Sequence, residues 1–310
     1  MRKFICILLS FLILACGSAA SAEVRTPKPI ETIPYDQIAP TVDGQHHYLL
    51  LCQDTWSNHA KLGNTDGIVL VTLDTRAHRV MLTSFIRDAL VVRPDGHIGR
   101  INYIAKNYSP EELCKVISQH INVKIEKYIL FNFSQIQDII NYLGGVDITV
   151  TSDEARYLTS YAIPKNSTKP VMTGAGTYHF DGHAAVIYMR IRKAGNSGDF
   201  MRTQRVRTVL STLADQCRNI THDEAKELVN TVMQNNTSTN MNLEEMMEAM
   251  EQAFSLRGCT IEELRIPPDG AATPITYANM SVQEIDWEAC REAMAKYLQN
   301  SFLVLDDEEE

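Results

Sequence analysis

Between residues 47 and 88 the chain carries three continuous apolar runs separated by short polar breaks: HYLLLCQD (47–54), GIVLVTLD (67–74) and HRVMLTSFIRD (78–88). Unbroken runs of this length, rich in aliphatic and β-branched residues, predict strands buried on both faces. The period then changes. Ser109-Pro110-Glu111-Glu112 is a helix start, with a capping serine, proline at the first position and acids in the first turn. Leu113, Val116, Ile117 and Ile121 follow as its apolar stripe. KYILFNF predicts a strand, a helix from Ser134 to Leu143 stops at Gly144-Gly145, and VDITV predicts another strand. Asp181 can cap a helix through HAAVIYMRIR and Asp199 one through FMRTQRVRTVLSTLADQ. Asn242 caps an acidic, Met-rich helix, the cluster Met241, Met246, Met247 and Met250 reads as core packing, and Asp286 opens a last helix. Strands alternating with helices predict a three-layer α/β domain.

Composition adds limits. The 310 residues, 45% apolar and 22% charged, suffice for a sizeable core. A net charge of −9 argues against a general nucleic-acid binder. Arg2 and Lys3, the apolar residues 4–15 and Ala20-Ser21-Ala22 form an export signal, so residues 1–22 are expected to be a cleaved signal peptide, a lipid anchor at Cys16 or a retained membrane anchor. Residues 23–46, with four prolines, predict a tether; residues 47–303 the catalytic domain; 304–310 an acidic tail. An exported protein can form disulfides, and of Cys52, Cys114, Cys217, Cys259 and Cys290 the first pair to test is Cys259 with Cys290, against the alternative of buried thiols.

The chemistry concentrates in MRIRKAGNSGDFMRTQRVR, residues 189–207. Arg190 and Arg192 end one helix, a loop reverses the chain, and Arg202 falls in the first turn of the next with Arg205 at i+3. Helix starts favour anions, and guanidinium forks grip phosphate in bidentate fashion, so this is a phosphate cradle or else a solvated basic face. Arg207 points off the cradle and is expected in solvent. Asp54 and Asp66 sit at strand ends, as does Arg87-Asp88, and Arg100 follows in GRINY. Ligands of open α/β sheets gather at strand ends. Two aspartates there can hold Mg²⁺ (or Mn²⁺), and acids for a metal beside arginines for phosphates are what phosphoryl transfer needs. The chain carries no P-loop, GxSxG or HExxH signature.

NTDGIVLVTLDTRAHRVMLTSFIRD, RINY, INYLGGVDITV and DGHAAVIYMRIRKAGNSGDFMRTQRVR together resemble, in order, the signatures of the LytR-CpsA-Psr (LCP) family over roughly residues 47–215. The resemblance implies a three-layer α-β-α domain with a central mixed β-sheet. It implies an envelope phosphotransferase, at the outer face of a bacterial cytoplasmic membrane. Such enzymes move a glycopolymer (wall teichoic acid-like, capsular or secondary wall polysaccharide) from a polyprenyl-pyrophosphate carrier to peptidoglycan. Carried over, Asp54 and Asp66 match Mg²⁺-binding acids. Arg87 matches the arginine beside the attacked phosphorus, and Arg100, Arg190, Arg192 and Arg202 the pyrophosphate ligands. Asp88 and Asp199 match acids that orient arginines, with Asp88 a candidate base. The lipid tail implies an apolar pocket, for which Ile125, Ile129, Leu130, Phe131, Phe133, Ile136, Ile139 and Ile140 are candidates, unless they are simply core. Departures are Arg100 in place of lysine, Gln204 in place of glutamate, and Arg205-Val206-Arg207 where glutamines usually follow, with Val206 removing a polar contact to substrate. Two other functions remain open: a pyrophosphatase or phosphodiesterase acting by hydrolysis, and a non-catalytic binder of anionic wall polymers.

Overall fold

The apolar runs at 47–88 become the centre of a sheet. A computed structural model describes residues 23–56, 62–160, 171–192, 194, 199–217, 219–234 and 237–299. In chain order the strands are β1 (Glu23–Val24), β2 (Gln45–Gln53), β3 (Thr65–Asp74), β4 (Arg79–Phe85), β5 (Leu90–Val92), β6 (Ile98–Arg100), β7 (Lys127–Phe131), β8 (Val146–Val150), β9 (Gly176–Phe180), β10 (Ser238–Thr239), β11 (Thr260–Ile266), β12 (Ala272–Tyr277) and β13 (Met280–Ile285). The helices are α1 (Ile104–Asn107), α2 (Pro110–Ile121), α3 (Phe133–Tyr142), α4 (Ser152–Ser160), α5 (Gly182–Met189), α6 (Asp199–Cys217), α7 (His222–Gln234), α8 (Leu243–Ser255) and α9 (Trp287–Gln299).

The main sheet is six-stranded, in the order β10-β7-β2-β3-β4-β11. β2 pairs parallel with β7, and β4 with β11, while β3 runs antiparallel to both β2 and β4. The sheet is therefore mixed, as expected. Leu49, Leu51, Ile68, Leu70 and Phe85 bury one face against Leu113 and Ile117 of α2, joined by Cys290 and Met294 of α9. Side chains alternate along a strand, so Leu50, Val69 and Phe131 turn to the opposite face, which α3, α5 and α6 cover.

The caps predicted at Ser109, Asp181 and Asn242 form. Ser109 Oγ accepts from Glu112 N at 3.2 Å, and Asp181 Oδ1 from Ala184 N at 2.8 Å. Asn132 makes a capping box with Gln135, and Asn242 one with Glu245. Gly182 lets α5 approach α3: a Cβ there would lie 2.2 Å from the Gln137 carbonyl oxygen.

VDITV forms the expected strand, β8, which pairs with β9 in a hairpin separate from the main sheet. The expectation for residues 23–46 changes. The expected tether lies against the domain: Arg25 and the Lys28 amide both bond Glu284, and Ile33 N donates to Gln119 O. Of the two readings of Cys259 and Cys290 the structure shows buried thiols: they belong to separate clusters, Cys259 with Leu73 and Leu256, Cys290 in the main core, and none of the five described cysteines is in a disulfide. Residues 1–22 and 304–310, to which the export signal and acidic tail were assigned, lie outside the described residues. Among the described residues no helix is long and apolar enough to cross a membrane.

Candidate active site

Asp66, near the start of β3, is the hub. Its Oδ2 accepts from Arg87 at 2.5 Å, Arg202 at 2.9 Å and Arg192 at 3.1 Å, and its Oδ1 from Asn102 Nδ2 at 3.1 Å. Burial would raise the Asp66 carboxyl, but the charges of Arg202 and Arg87 and the bond from Asn102 outweigh it and hold it below the ordinary carboxylate range. Asp66 is therefore ionised and organises three guanidinium groups, from just past β4, just past α5 and the first turn of α6.

Asp54 stands just beyond β2, where Arg190 Nη2 donates to its Oδ1 at 3.2 Å. The Arg190 guanidinium lies over the Phe133 ring, 4.5 Å from the centroid, a cation–π contact. Asp88 pairs with Arg100 and lies 3.6 Å from Arg87 Nε; Arg100 also donates to the Tyr103 hydroxyl at 3.2 Å. Ion pairs thus link Asp66, Arg87, Asp88, Arg100, Arg192 and Arg202, and the Asp54–Arg190 pair lines the same cavity as Asp66, Arg192 and Arg202; across the eight residues the guanidiniums outnumber the carboxylates. Of the candidate site residues only Asp199 cannot be placed: it begins α6, but its side chain is outside the described residues.

Exposure divides the arginines. Arg202 is buried at 4% exposure, whereas the side chains of Arg190 and Arg192 are 40% and 47% exposed. The exposed pair can turn from the carboxylates to a ligand, which uncovers Asp54 and leaves Asp66 held by Arg87, Arg202 and Asn102. Among the described residues no three or more His, Cys, Asp or Glu side chains converge on one point. Two carboxylates fit Mg²⁺, which is commonly held by one or two protein acids together with substrate phosphates.

The cluster caps a cavity of about 530 Å³ between sheet and helices. Asp54, Asp66, Arg190, Arg192 and Arg202 form its charged lining; Leu50, Val69, Phe131, Ile136, Ile140 and Val209 are among its apolar walls. A second cavity of about 390 Å³, enclosed by α6, α7, α8 and the sheet, shares Leu50 and Leu210 with the first. Phe131, Phe133, Ile136, Ile139 and Ile140 line the first cavity as expected for a pocket. Ile129 lines the second, and Ile125 and Leu130 belong to the core on the other sheet face. Strand alternation separates them: Ile129 and Phe131 share a face that Leu130 does not. Val206 is part of the cavity wall. Cys52 also lines the cavity, but burial, with the Asp66 and Asp54 charges adding to it, pushes its thiol up to about 12, which rules it out as a thiolate nucleophile at neutral pH.

Sequence reasoning missed two features of this site. Asn102, part of the RINY motif, is the neutral partner of Asp66. Trp56 stacks on His183 at 5.0 Å and tilts against Phe133 at 5.4 Å, beside Arg190; its single signal was a tryptophan two residues after Asp54. Arg207, expected in solvent, is buried at 4% exposure and bonds Glu263, Ser84 and Gln204. The side of α6 that carries it faces β4 and β11 rather than water.

A family model described as the LytR_cpsA_psr family matches residues 15–296. Among curated proteins the chain is 25% identical over 205 residues to the polyisoprenyl-teichoic acid–peptidoglycan teichoic acid transferase TagV of Bacillus subtilis strain 168, covering 65% of this chain and 51% of that protein. It is 26% identical over 202 residues to the transferase of the same description named TagT from that strain, covering 65% and 60%. The matched part thus spans about half to three-fifths of these relatives' length. Among solved structures, Bacillus subtilis TagT aligns with a TM-score of 0.66 at 22% identity over 91% of this chain and 99% of that one. A structure described as TagT bound to LIIa-WTA aligns with a TM-score of 0.67 at 22% identity, covering 92% and 97%. These two likenesses establish the fold.

Proposed function

The chain belongs to the LytR-CpsA-Psr family, and on that premise we propose that it transfers a glycopolymer from a polyprenyl-pyrophosphate carrier to peptidoglycan at the outer face of a bacterial membrane. One observation carries the reading: an apolar cavity of about 530 Å³ ends in Asp54, Asp66, Arg190, Arg192 and Arg202. That combination matches a lipid tail joined to a pyrophosphate. Its curated relatives are named for polyisoprenyl-linked teichoic acid and peptidoglycan.

In this mechanism the isoprenoid chain fills the cavity and the pyrophosphate meets the arginines. Arg202 and Arg87, fixed by Asp66, are preorganised, so their charge reaches the phosphate oxygens without reorganisation at the moment of reaction. Arg190 and Arg192 turn from Asp54 and Asp66 to the phosphates. An acceptor hydroxyl of peptidoglycan attacks the phosphorus on the glycan side. A new P–O bond forms to the acceptor oxygen, the bridging P–O bond breaks, and polyprenyl phosphate leaves with the electron pair. Asp88, held by Arg100 and facing Arg87, takes the hydroxyl proton. Asp54 and Asp66 would hold Mg²⁺, which supplies further neutralisation of the pyrophosphate charge.

The test is turnover of a short-chain polyprenyl-pyrophosphate disaccharide with peptidoglycan fragments and Mg²⁺. Phosphodiester-linked product and free polyprenyl phosphate are expected, with both lost in Arg87→Ala. Release of phosphorylated glycan without transfer, acceptor present, would replace this reading by hydrolysis; binding without turnover would replace it by a polymer-binding role.

A further inference from the structure

Arg205 does not line the cavity, although it is one turn from Arg202 in the same arginine-rich stretch. It is buried at 2% exposure. Its Nε donates to Glu154 Oε1 at 2.6 Å and its Nη1 to the main-chain carbonyl of Ile191 at 2.8 Å. The second oxygen of Glu154 accepts from Thr151 N at 2.9 Å and Thr151 Oγ1 at 3.1 Å, which fixes the carboxylate at the start of α4. Ile191 lies between Arg190 and Arg192, just past the end of α5, where carbonyls lack helical partners. Its side chain is fully buried in the cluster of α4, α5 and α6. Ile191 is thus anchored twice, by its side chain and by its carbonyl, while its two neighbours project exposed guanidiniums toward Asp54 and Asp66.

We propose that Arg205, held by Glu154, is a positioning residue: it fixes the Ile191 carbonyl so that Arg190 and Arg192 meet the substrate's pyrophosphate from one preset backbone. The inference rests on the pyrophosphate reading above. A rigid backbone under mobile heads confines two long side chains to one region, and losing it costs orientation, where misplacement by an ångström can cost about a hundredfold.

The experiment is calorimetric titration with farnesyl pyrophosphate at constant salt. Wild type binds; Arg205→Met weakens binding by about tenfold or more. In an Arg190→Ala/Arg192→Ala background, Arg205→Met changes affinity by less than about twofold, because the residues it acts through are gone. The same fold loss in both backgrounds, or no loss in wild type, overturns the proposal, since a general folding defect would act in either. Should Arg205→Met fail to fold, Glu154→Gln keeps an acceptor but removes its charge, and a smaller loss with the same background dependence is expected; background-independent loss again overturns it. No binding by the wild-type chain overturns the pyrophosphate reading itself, an outcome distinct from failure of the clamp.

Discussion

Arg202 is joined to Asp66 twice: Nη1 donates to the carboxylate at 2.9 Å and Nη2 to the Asp66 main-chain carbonyl at 2.8 Å. The second bond does not depend on the carboxylate. Arg202 can therefore keep its place when a cation or phosphate competes for Asp66, and β3 and the start of α6 stay tied through a change of ligand.

Removing the Asp66 charge separates its two duties. In Asp66→Asn the guanidiniums of Arg87, Arg192 and Arg202 lose the carboxylate they share, while Asp88 remains beside Arg87. Breaking a largely buried pair from one side costs about 3 kcal/mol. The variant is expected to melt lower than wild type, and to recover more than wild type does when inorganic pyrophosphate is added, because an external anion takes the vacated role. Thermal unfolding with and without pyrophosphate reads both effects; equal shifts in the two proteins would refute the assignment.

Arg192 and Arg202 share the same acceptor oxygen but differ in burial, so their losses should differ in kind. Arg192→Ala is expected to weaken farnesyl pyrophosphate binding while changing stability by less than about 0.5 kcal/mol. Arg202→Ala removes a buried guanidinium with two bonds and should cost about 2 kcal/mol or more of stability as well as binding. Urea unfolding alongside calorimetry separates them.

Legibility followed sequence distance. The three runs at 47–88 became β2, β3 and β4 because residues buried on both faces must be apolar throughout. The site acids stood at strand ends, where topology exposes them. β11 and β12, with TIEELRI and ATPITY, were missed because their polar residues break the pattern of a buried strand. The fates of Arg205 and Arg207 were not readable from charge spacing. Glu154 is 51 residues from Arg205, and Ser84 is 123 from Arg207, so only the fold reveals which face of α6 is covered.

Leu210 stands where the two cavities meet. Leu210→Trp fills the junction with an indole and leaves the charged end untouched. Binding of geranyl pyrophosphate, short enough for the first cavity, should stay within about threefold of wild type, while a long polyprenyl pyrophosphate loses about tenfold or more through lost apolar burial. Equal loss for both lengths would mean that the chain does not pass Leu210.

Two buried histidines set an acid limit on stability. Burial lowers His47 to about 4, with the charge of His46 adding and that of Asp74 opposing. Burial lowers His120 to about 4 as well, with the Val116 carbonyl opposing and Arg291 adding. His120 Nδ1 donates to Val116 O, and Nε2 accepts from Val92 N at 3.1 Å. A second ring proton would confront the Val92 N–H with another donor. Both rings stay neutral when folded, while the unfolded chain takes up protons below the ordinary histidine value of about 6.5. Stability is therefore full above that pH and falls as pH drops from about 6.5 to 4, by up to roughly 3 kcal/mol per histidine. Urea unfolding at pH 7.5, 6 and 5 should show the decline, and His120→Asn should flatten it by about half. An unchanged slope in that variant would assign the acid sensitivity to other groups.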